Sequence, residues 1–460
     1  MRYSDIGVLS LSSRNESPIS VEKDQVISFI SNRYIQSAHA LNRMLYYPEK
    51  FERQVMKADK PWEMNGKYRC VGGFSGKCIV QQGDKLMMFY SVYHMGGKNE
   101  FRSFAYAESK DGYRWTKPDI NKGTNLLIDN RDIYDDAKRE FKRPYYELQN
   151  VIFDEHSGLY RGLGHCRISR QKYGTFVATT NNPIKWNPKE FRLLYKNDDI
   201  HALMGWDEDK KGYVSYIRVP IYQNGIQKRA IGYSISADFK KWSEPVLCHV
   251  PMGGVHQIYN MPVTKYAGHY LGFPINYYPV PGHPGPLETG LLYSGDGVTW
   301  FVQDPQYIQR GLPGEWDDSY VMTAAPFTWK DSMWFYYWGC NFPHDNGFRE
   351  EKLNVGSVGV AVLPKNRMYS LACNRYSPGV LEVVPFYPGK GCKSVVLNAH
   401  LPNGSIEAYD GMDKLALVPK NSLEFYLTKK GKKDWVGQNF QRMSLKFYIS
   451  DAEVFTVTLE

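Results

Sequence analysis

A turn pattern that returns four times constrains this chain more than any other feature. Ser or Thr is followed two residues later by Asp or Asn, and four residues after that by Trp. The copies are Ser109-Lys-Asp111-Gly-Tyr-Arg-Trp115, Thr180-Asn-Asn182-Pro-Ile-Lys-Trp186, Ser236-Ala-Asp238-Phe-Lys-Lys-Trp242 and Ser294-Gly-Asp296-Gly-Val-Thr-Trp300, with Trp spacings of 71, 56 and 58 residues. An Asp or Asn side chain accepts from the backbone two residues on, Gly or Pro permits the bend, and Trp packs the strand that follows. Self-similarity at this period is the signature of a repeat architecture.

Between these turns a second unit recurs: an apolar strand, a turn, and a strand rich in Tyr, Phe and Trp. Five copies run from Lys77–Gln81 with Leu86–Tyr90, through Asn150–Phe153 with Leu159–Leu163 and Ala202–Trp206 with Tyr213–Ile217, to Tyr259–Val263 with His269–Phe273 and Met322–Phe327 with Met333–Tyr337. Each unit has room for four strands, the content of a propeller blade. Aromatic residues make up 15% of the chain, with 40 Gly and 26 Pro, as half-buried strands and frequent turns require. The clearest helical candidate is Gln36–Leu45, ahead of the first blade. After residue 370 short alternating strands follow one another: 394–399, 404–409, 422–427, 444–449 and 454–459. The expected fold is therefore all-β, a five-bladed β-propeller followed by a C-terminal β-sandwich. Its expected parts are an N-terminal segment (1–58) helping to close the propeller, the propeller (59–370) and the sandwich (371–460).

Composition narrows the function classes. No run of about 18 apolar residues exists to span a bilayer, so no membrane partner is expected. The net charge of +9 is diffuse, and the densest basic cluster, Lys429-Lys430-Gly431-Lys432-Lys433, reads as a solvated turn, so no nucleic-acid partner is expected either. Seven cysteines without a CxxC pair argue against a disulfide framework and a zinc site. No cofactor is expected, a structural calcium or sodium in the channel being left open. Val71-Gly-Gly-Phe-Ser-Gly76 leads into a strand, not a helix, which excludes a phosphate loop. The first twenty residues carry no signal-peptide core, so the expected location is cytoplasmic, or secreted if the chain lacks its native N-terminus. The oligomeric state is left open.

The innermost strands of a propeller line its channel, so polar groups at their starts converge. Those groups are Asp59 and Glu63 in blade one, Arg143 and Glu147 in blade two, and Asp198, Asp199 and His201 in blade three. Blade four supplies His256 and Gln257, and blade five Asp317 and Asp318. Carboxyls crowded into one cavity repel, which keeps one protonated as an acid beside an ionised partner. Glycosidic-bond hydrolysis needs that pair. The candidate catalytic set is Glu63, Glu147, Asp199 and Asp317. Arg143, His256 and Gln257 are candidate substrate-binding groups, with Tyr146, Tyr259 and Trp316 as an apolar wall against which a sugar ring stacks.

The chain resembles the five-bladed-propeller glycosidases of glycoside hydrolase families 32 and 43, and most of all a family-32-like branch with a C-terminal sandwich. Asp59-Lys-Pro-Trp-Glu63, Gln149–Glu155, Arg229-Ala-Ile-Gly-Tyr-Ser, Asp238–Pro245, Ile258–Pro262, Tyr270–Pro274 and Trp316-Asp317 carry the likeness, with Leu397-Asn-Ala399, Gly404–Glu407 and Ser450–Glu453 in the sandwich. The Trp-Met-Asn-Asp-Pro-like nucleophile motif of family 32 is not reproduced, so the likeness carries the scaffold and catalytic roles rest on position. It implies a carbohydrate partner and a hydrolase acting exo on a terminal fructosyl, arabinofuranosyl or related sugar. A non-catalytic carbohydrate-binding propeller and a glycoside phosphorylase or transglycosylase are the alternatives.

Overall fold

The computed structural model describes residues 2–65, 68–96, 99–135, 140–169, 172–196, 201–279, 285–344, 353–373, 376–436 and 442–460. Among them there is no α-helix, only three short 3-10 turns. Five sets of four antiparallel strands follow the chain order the repeats predict. Blade two is the simplest, with Tyr145–Asp154, Leu159–Ser169, Lys172–Thr180 and Arg192–Lys196 running from the channel outward. Blade three repeats this with His201–Asp207, Gly212–Gln223, Ile226–Ser236 and Val246–His249. In blades one, four and five the inner strand is interrupted, as in Tyr68–Gly72 continued by Ile79–Gln82.

Blade five takes its outermost strand, Glu49–Lys50, from the N-terminal segment, where it pairs with Asn354–Pro364. The ring closes because Asn354–Gly356 of blade five also runs parallel to Tyr68–Cys70 of blade one.

The repeated turns are built alike. Asp111 accepts from the backbone of Tyr113 and Arg114 at 2.8 and 2.7 Å, and Asp296 from Val298 and Thr299 at the same distances. Asp238 holds Lys240 and Lys241 in the same way, at 2.8 Å each. In three copies the indole N–H then donates to the carbonyl three residues back: Trp115 to Gly112, Trp186 to Pro183 and Trp242 to Phe239.

The break in blade one's inner strand has a structural consequence. The glycine-rich segment between its two halves crosses the channel and touches the other four blades. Val151 of blade two donates to the Lys77 carbonyl at 2.8 Å, and Ala325 of blade five to the Gly76 carbonyl at 3.0 Å. Asn260 of blade four donates its amide to the Ser75 carbonyl. Gly76 lies so close to Asn150 and to the Ala202–Leu203 backbone that a Cβ would meet them at 2.2 and 2.8 Å. These contacts place the segment across the channel.

The strands after residue 369 form a rolled sandwich whose ladder runs continuously from layer to layer and encloses one apolar core. Tyr3–Leu11, Val26–Ser28 and Ile35–Tyr46 belong to the same sheet. The helix expected at Gln36–Leu45 is therefore a strand. Its buried residues Ile35, Ala38, Leu41 and Met44 fall three apart, which imitates a helical period. The spacing arises from irregular pairing with Tyr3–Leu11 and from Ala40 at φ 52, as β-bulges produce. Against the propeller, Met44, Tyr46, Tyr369 and Phe455 pack with Phe273, Tyr307 and Phe335 in one cluster.

Candidate functional site

In an antiparallel pair the start of one strand lies beside the end of the next. The start of each inner strand and the end of each second strand therefore share one mouth of the channel. Blades one and three build this rim higher. Lys85–Gly96 runs past Val92, which pairs with Val71 of the inner strand, and Gly212–Gln223 runs six residues past Ile217, which pairs with His201.

Glu147, 2% exposed, is a buried acid at this mouth, on the inner strand of blade two. Arg102 of blade one donates to its Oε1 at 2.5 Å, and Tyr145 to its Oε2 at 2.8 Å. His165 and Arg167 stand opposite Glu147 and Tyr145 in the ladder, hence on the same face. Burial pushes the Glu147 carboxyl up, but the Arg102 charge and hydrogen bond, His165 and the Tyr145 hydroxyl outweigh it and hold it below the usual carboxylate range.

From Arg102 an aromatic arc runs round the mouth. The guanidinium lies 4.5 Å from the Tyr93 ring centre, and Tyr93 stacks on Trp338 at 5.0 Å. Tyr68 bridges Tyr93 to Phe342, which meets Tyr320 at 5.8 Å. Two residues beyond Phe342, His344 contacts Tyr277 and Tyr259 edge-on at 5.3 and 4.7 Å. The far end carries two more arginines from the raised hairpin of blade three. Arg218 lies 4.7 Å over the Tyr259 ring, and Arg229 sits 5.9 and 5.5 Å from the Tyr259 and Tyr277 rings. Arg229 also donates to Gln257 at 3.1 Å.

Of the residues the sequence singles out, Glu147, Gln257 and Tyr259 stand in this arrangement. The others go elsewhere or are not described. Glu63 is fully buried but bonded to Lys117 at 2.6 Å, to the Tyr90 hydroxyl at 2.8 Å and to the Asp59 and Lys60 amides. It fastens the segment entering blade one to that blade's outer half. Asp317 pairs with Lys50 of the outermost strand of blade five at 2.6 Å and accepts from Tyr337, so its carboxylate points along the blade and away from the channel. Trp316 stacks on Tyr337 within the propeller–sandwich contact.

Tyr146, the neighbour of Glu147, faces the opposite side of its strand and packs edge-on against Phe176 and Phe191. Arg143 is exposed and paired with Asp132 at 2.9 Å. His256 is buried against Asn276 and Tyr278, and burial lowers its pKa. Asp199 lies outside the described residues.

The residues that position alone misses are Arg102, Arg218, Arg229, Tyr93, Tyr277 and His344. They sit on second and third strands or just after them, not ahead of inner strands. Their signal is an arginine interrupting an apolar run, as in Tyr216-Ile-Arg218-Val and Phe101-Arg102-Ser-Phe104. Among the described residues no group of three or more His, Cys, Asp or Glu is placed to hold a metal ion.

No protein-family model matches the chain, and no curated protein does. Solved structures are similar at low identity. An N-acetylgalactosamine deacetylase from F. plautii, in complex with blood group B trisaccharide, is 13% identical, with a TM-score of 0.49 over 72% of this chain and 97% of its own. A β-1,2-mannobiose phosphorylase from Listeria innocua is 10% identical, with a TM-score of 0.47 over 70% of this chain and 97% of its own. A glycosyl hydrolase from Bacteroides ovatus is 13% identical, with a TM-score of 0.45 over 70% and 96%. At these identities the activities of those proteins stay with them.

Proposed function

We propose that the channel mouth is the active site of a carbohydrate-active enzyme that cleaves a glycosidic bond at a terminal sugar. The observation that carries this reading is Glu147, a carboxylate buried at the mouth and held ionised by Arg102 and Tyr145. An ionised buried carboxylate suits the base or nucleophile of glycosidic cleavage, not the acid. Tyr259, half-buried at the end of the aromatic arc, offers a flat face for the apolar side of a sugar ring, while Tyr93, Trp338, Phe342 and Tyr277 are buried behind it. The glycine-rich segment crosses the channel below the mouth, which favours binding of a chain end, and so exo over endo action. Asp199, two residues ahead of His201 in the sequence, is the candidate for the partner acid. Membership of the family 32 and 43 group, and a fructosyl or arabinofuranosyl substrate, belong to the same proposal.

The test is a screen of the purified protein against natural oligosaccharides and aryl glycosides, with and without inorganic phosphate. Glu147→Gln and Asp199→Asn are expected to lower turnover by about 10²–10⁴-fold in protein that still unfolds cooperatively. A sugar 1-phosphate product would mark phosphorolysis. Sugar binding without turnover by the wild type would replace the enzyme with a binding module.

A further inference from the structure

Arg229 differs from the other arginines whose side chains meet acids. Arg131, Arg161 and Arg310 each hold a carboxylate, at 2.6, 2.7 and 2.9 Å, and Arg102 holds Glu147. Arg229 is half-buried at the mouth, and no carboxylate among the described residues pairs with it. Its hydrogen-bond partner there is the neutral amide oxygen of Gln257, at 3.1 Å. A guanidinium carries five N–H donors in a planar fork, so one amide acceptor leaves most of its donors for something else. The Tyr259 and Tyr277 rings flank it and fix its plane, and Arg218 adds a second positive charge over the Tyr259 ring. Arg218 and Arg229 come from facing strands of one hairpin, with Arg229 opposite Pro220 and Arg218 opposite Ile231. Alternation therefore sends both side chains to the same face, toward blade four.

We propose that Arg229, reinforced by Arg218, binds an oxyanion carried by the substrate, so that the sugar taken into this mouth is an acidic one. The inference rests on reading the mouth as the active site and adds the substrate class. A carboxylate on the sugar matches the fork with two parallel N–H···O bonds, and partial burial strengthens each of them. Tyr259, which is half-buried, would then meet the ring of the same sugar unit, which couples recognition of the charge to recognition of the ring.

Calorimetric titration tests this on the full chain. The probes are oligosaccharides ending in galacturonic or glucuronic acid, their neutral galactose and glucose counterparts, and inorganic phosphate alone. The proteins are the wild type, Arg229→Gln, Arg229→Lys and the turnover-deficient Glu147→Gln. Acidic sugars are expected to bind at least about tenfold more tightly than neutral ones to the wild type and to Glu147→Gln. That preference should vanish in Arg229→Gln and shrink in Arg229→Lys, which keeps the charge and loses the fork. Equal binding of acidic and neutral sugars by the wild type overturns the proposal, as does a preference that both Arg229 variants retain. Phosphate bound through Arg229, with no preference between sugars, also overturns it and makes the oxyanion a free co-substrate. An acid preference in a protein that turns over no sugar sinks the enzyme reading alone, so the two failures are distinguishable.

Discussion

At the scale of single residues, the ionisation of Glu147 decides what the mouth can do. Burial alone would push the pKa of this carboxyl up, and the Arg102 charge and hydrogen bond, with His165 and Tyr145, reverse the direction. A carboxyl whose folded pKa is depressed stays ionised below the usual carboxylate range. Its stabilising contribution is present above the unfolded pKa and is lost as pH falls through the folded one. Activity that needs ionised Glu147 should therefore have its acid limb below the usual carboxylate range. Arg102→Gln removes the opposing charge, burial takes over, and the acid limb moves to higher pH. The pH dependence of kcat/KM on any turned-over substrate checks this; an unmoved limb would detach Arg102 from Glu147 in function. Glu147 is legible in the sequence because it opens an inner strand. Arg102 is not, because its contact with Glu147 depends on how blade one leans against blade two, which no local pattern encodes.

At the scale of elements, what is legible is what is local. The four Asp or Asn turns with their Trp, and the five hairpins, are features of neighbouring sequence: the turn residues bond two or three positions on, and each hairpin pairs strands adjacent in the chain. The segment across the channel is legible only as a glycine-rich stretch, since its partners come from four other blades. Its tightest point is Gly76. An added methyl would overlap Asn150 Oδ1 and the backbone at Ala202 and Leu203, and that backbone cannot move without shifting the inner strand of blade three. Asn150 is itself committed there, donating to the His201 carbonyl at 2.9 Å and accepting from the Leu203 amide at 3.0 Å. Gly76→Ala should therefore destabilise the chain by about 1–3 kcal/mol, the cost of overpacking, read as a lower urea midpoint. Since His201 starts the same strand at the mouth, the substitution should also weaken sugar binding. A variant as stable as the wild type would mean the segment is looser than these contacts require.

At the scale of the whole molecule, the first fifty residues fasten two units together. Ile35–Tyr46 lies in the sandwich sheet, and four residues later Lys50 is in the outermost strand of blade five. The Lys50–Asp317 pair ties that strand to the start of the same blade's inner strand, with Asp317 3% exposed and Tyr337 donating to it. From the sequence Asp317 looks like a channel acid, because it stands just ahead of an inner strand as Glu147 nearly does. Position gives a residue's place along the strand but not the direction of its side chain, and Asp317 turns outward to the lysine that closes the ring. A buried pair broken on one side leaves an uncompensated charge, which costs about 3–5 kcal/mol. Asp317→Ala should cost stability toward the lower end of that range, because the Lys50 left behind is 27% exposed, and show it as a lower urea midpoint, while the surviving folded fraction keeps the sugar preference of the mouth. Glu147→Gln also leaves a partner, Arg102, uncompensated, so its midpoint should fall as well, but there the folded fraction should lose turnover. If Asp317→Ala unfolds like the wild type and loses turnover instead, Asp317 belongs to the active site and the closure is held by the strand pairing alone.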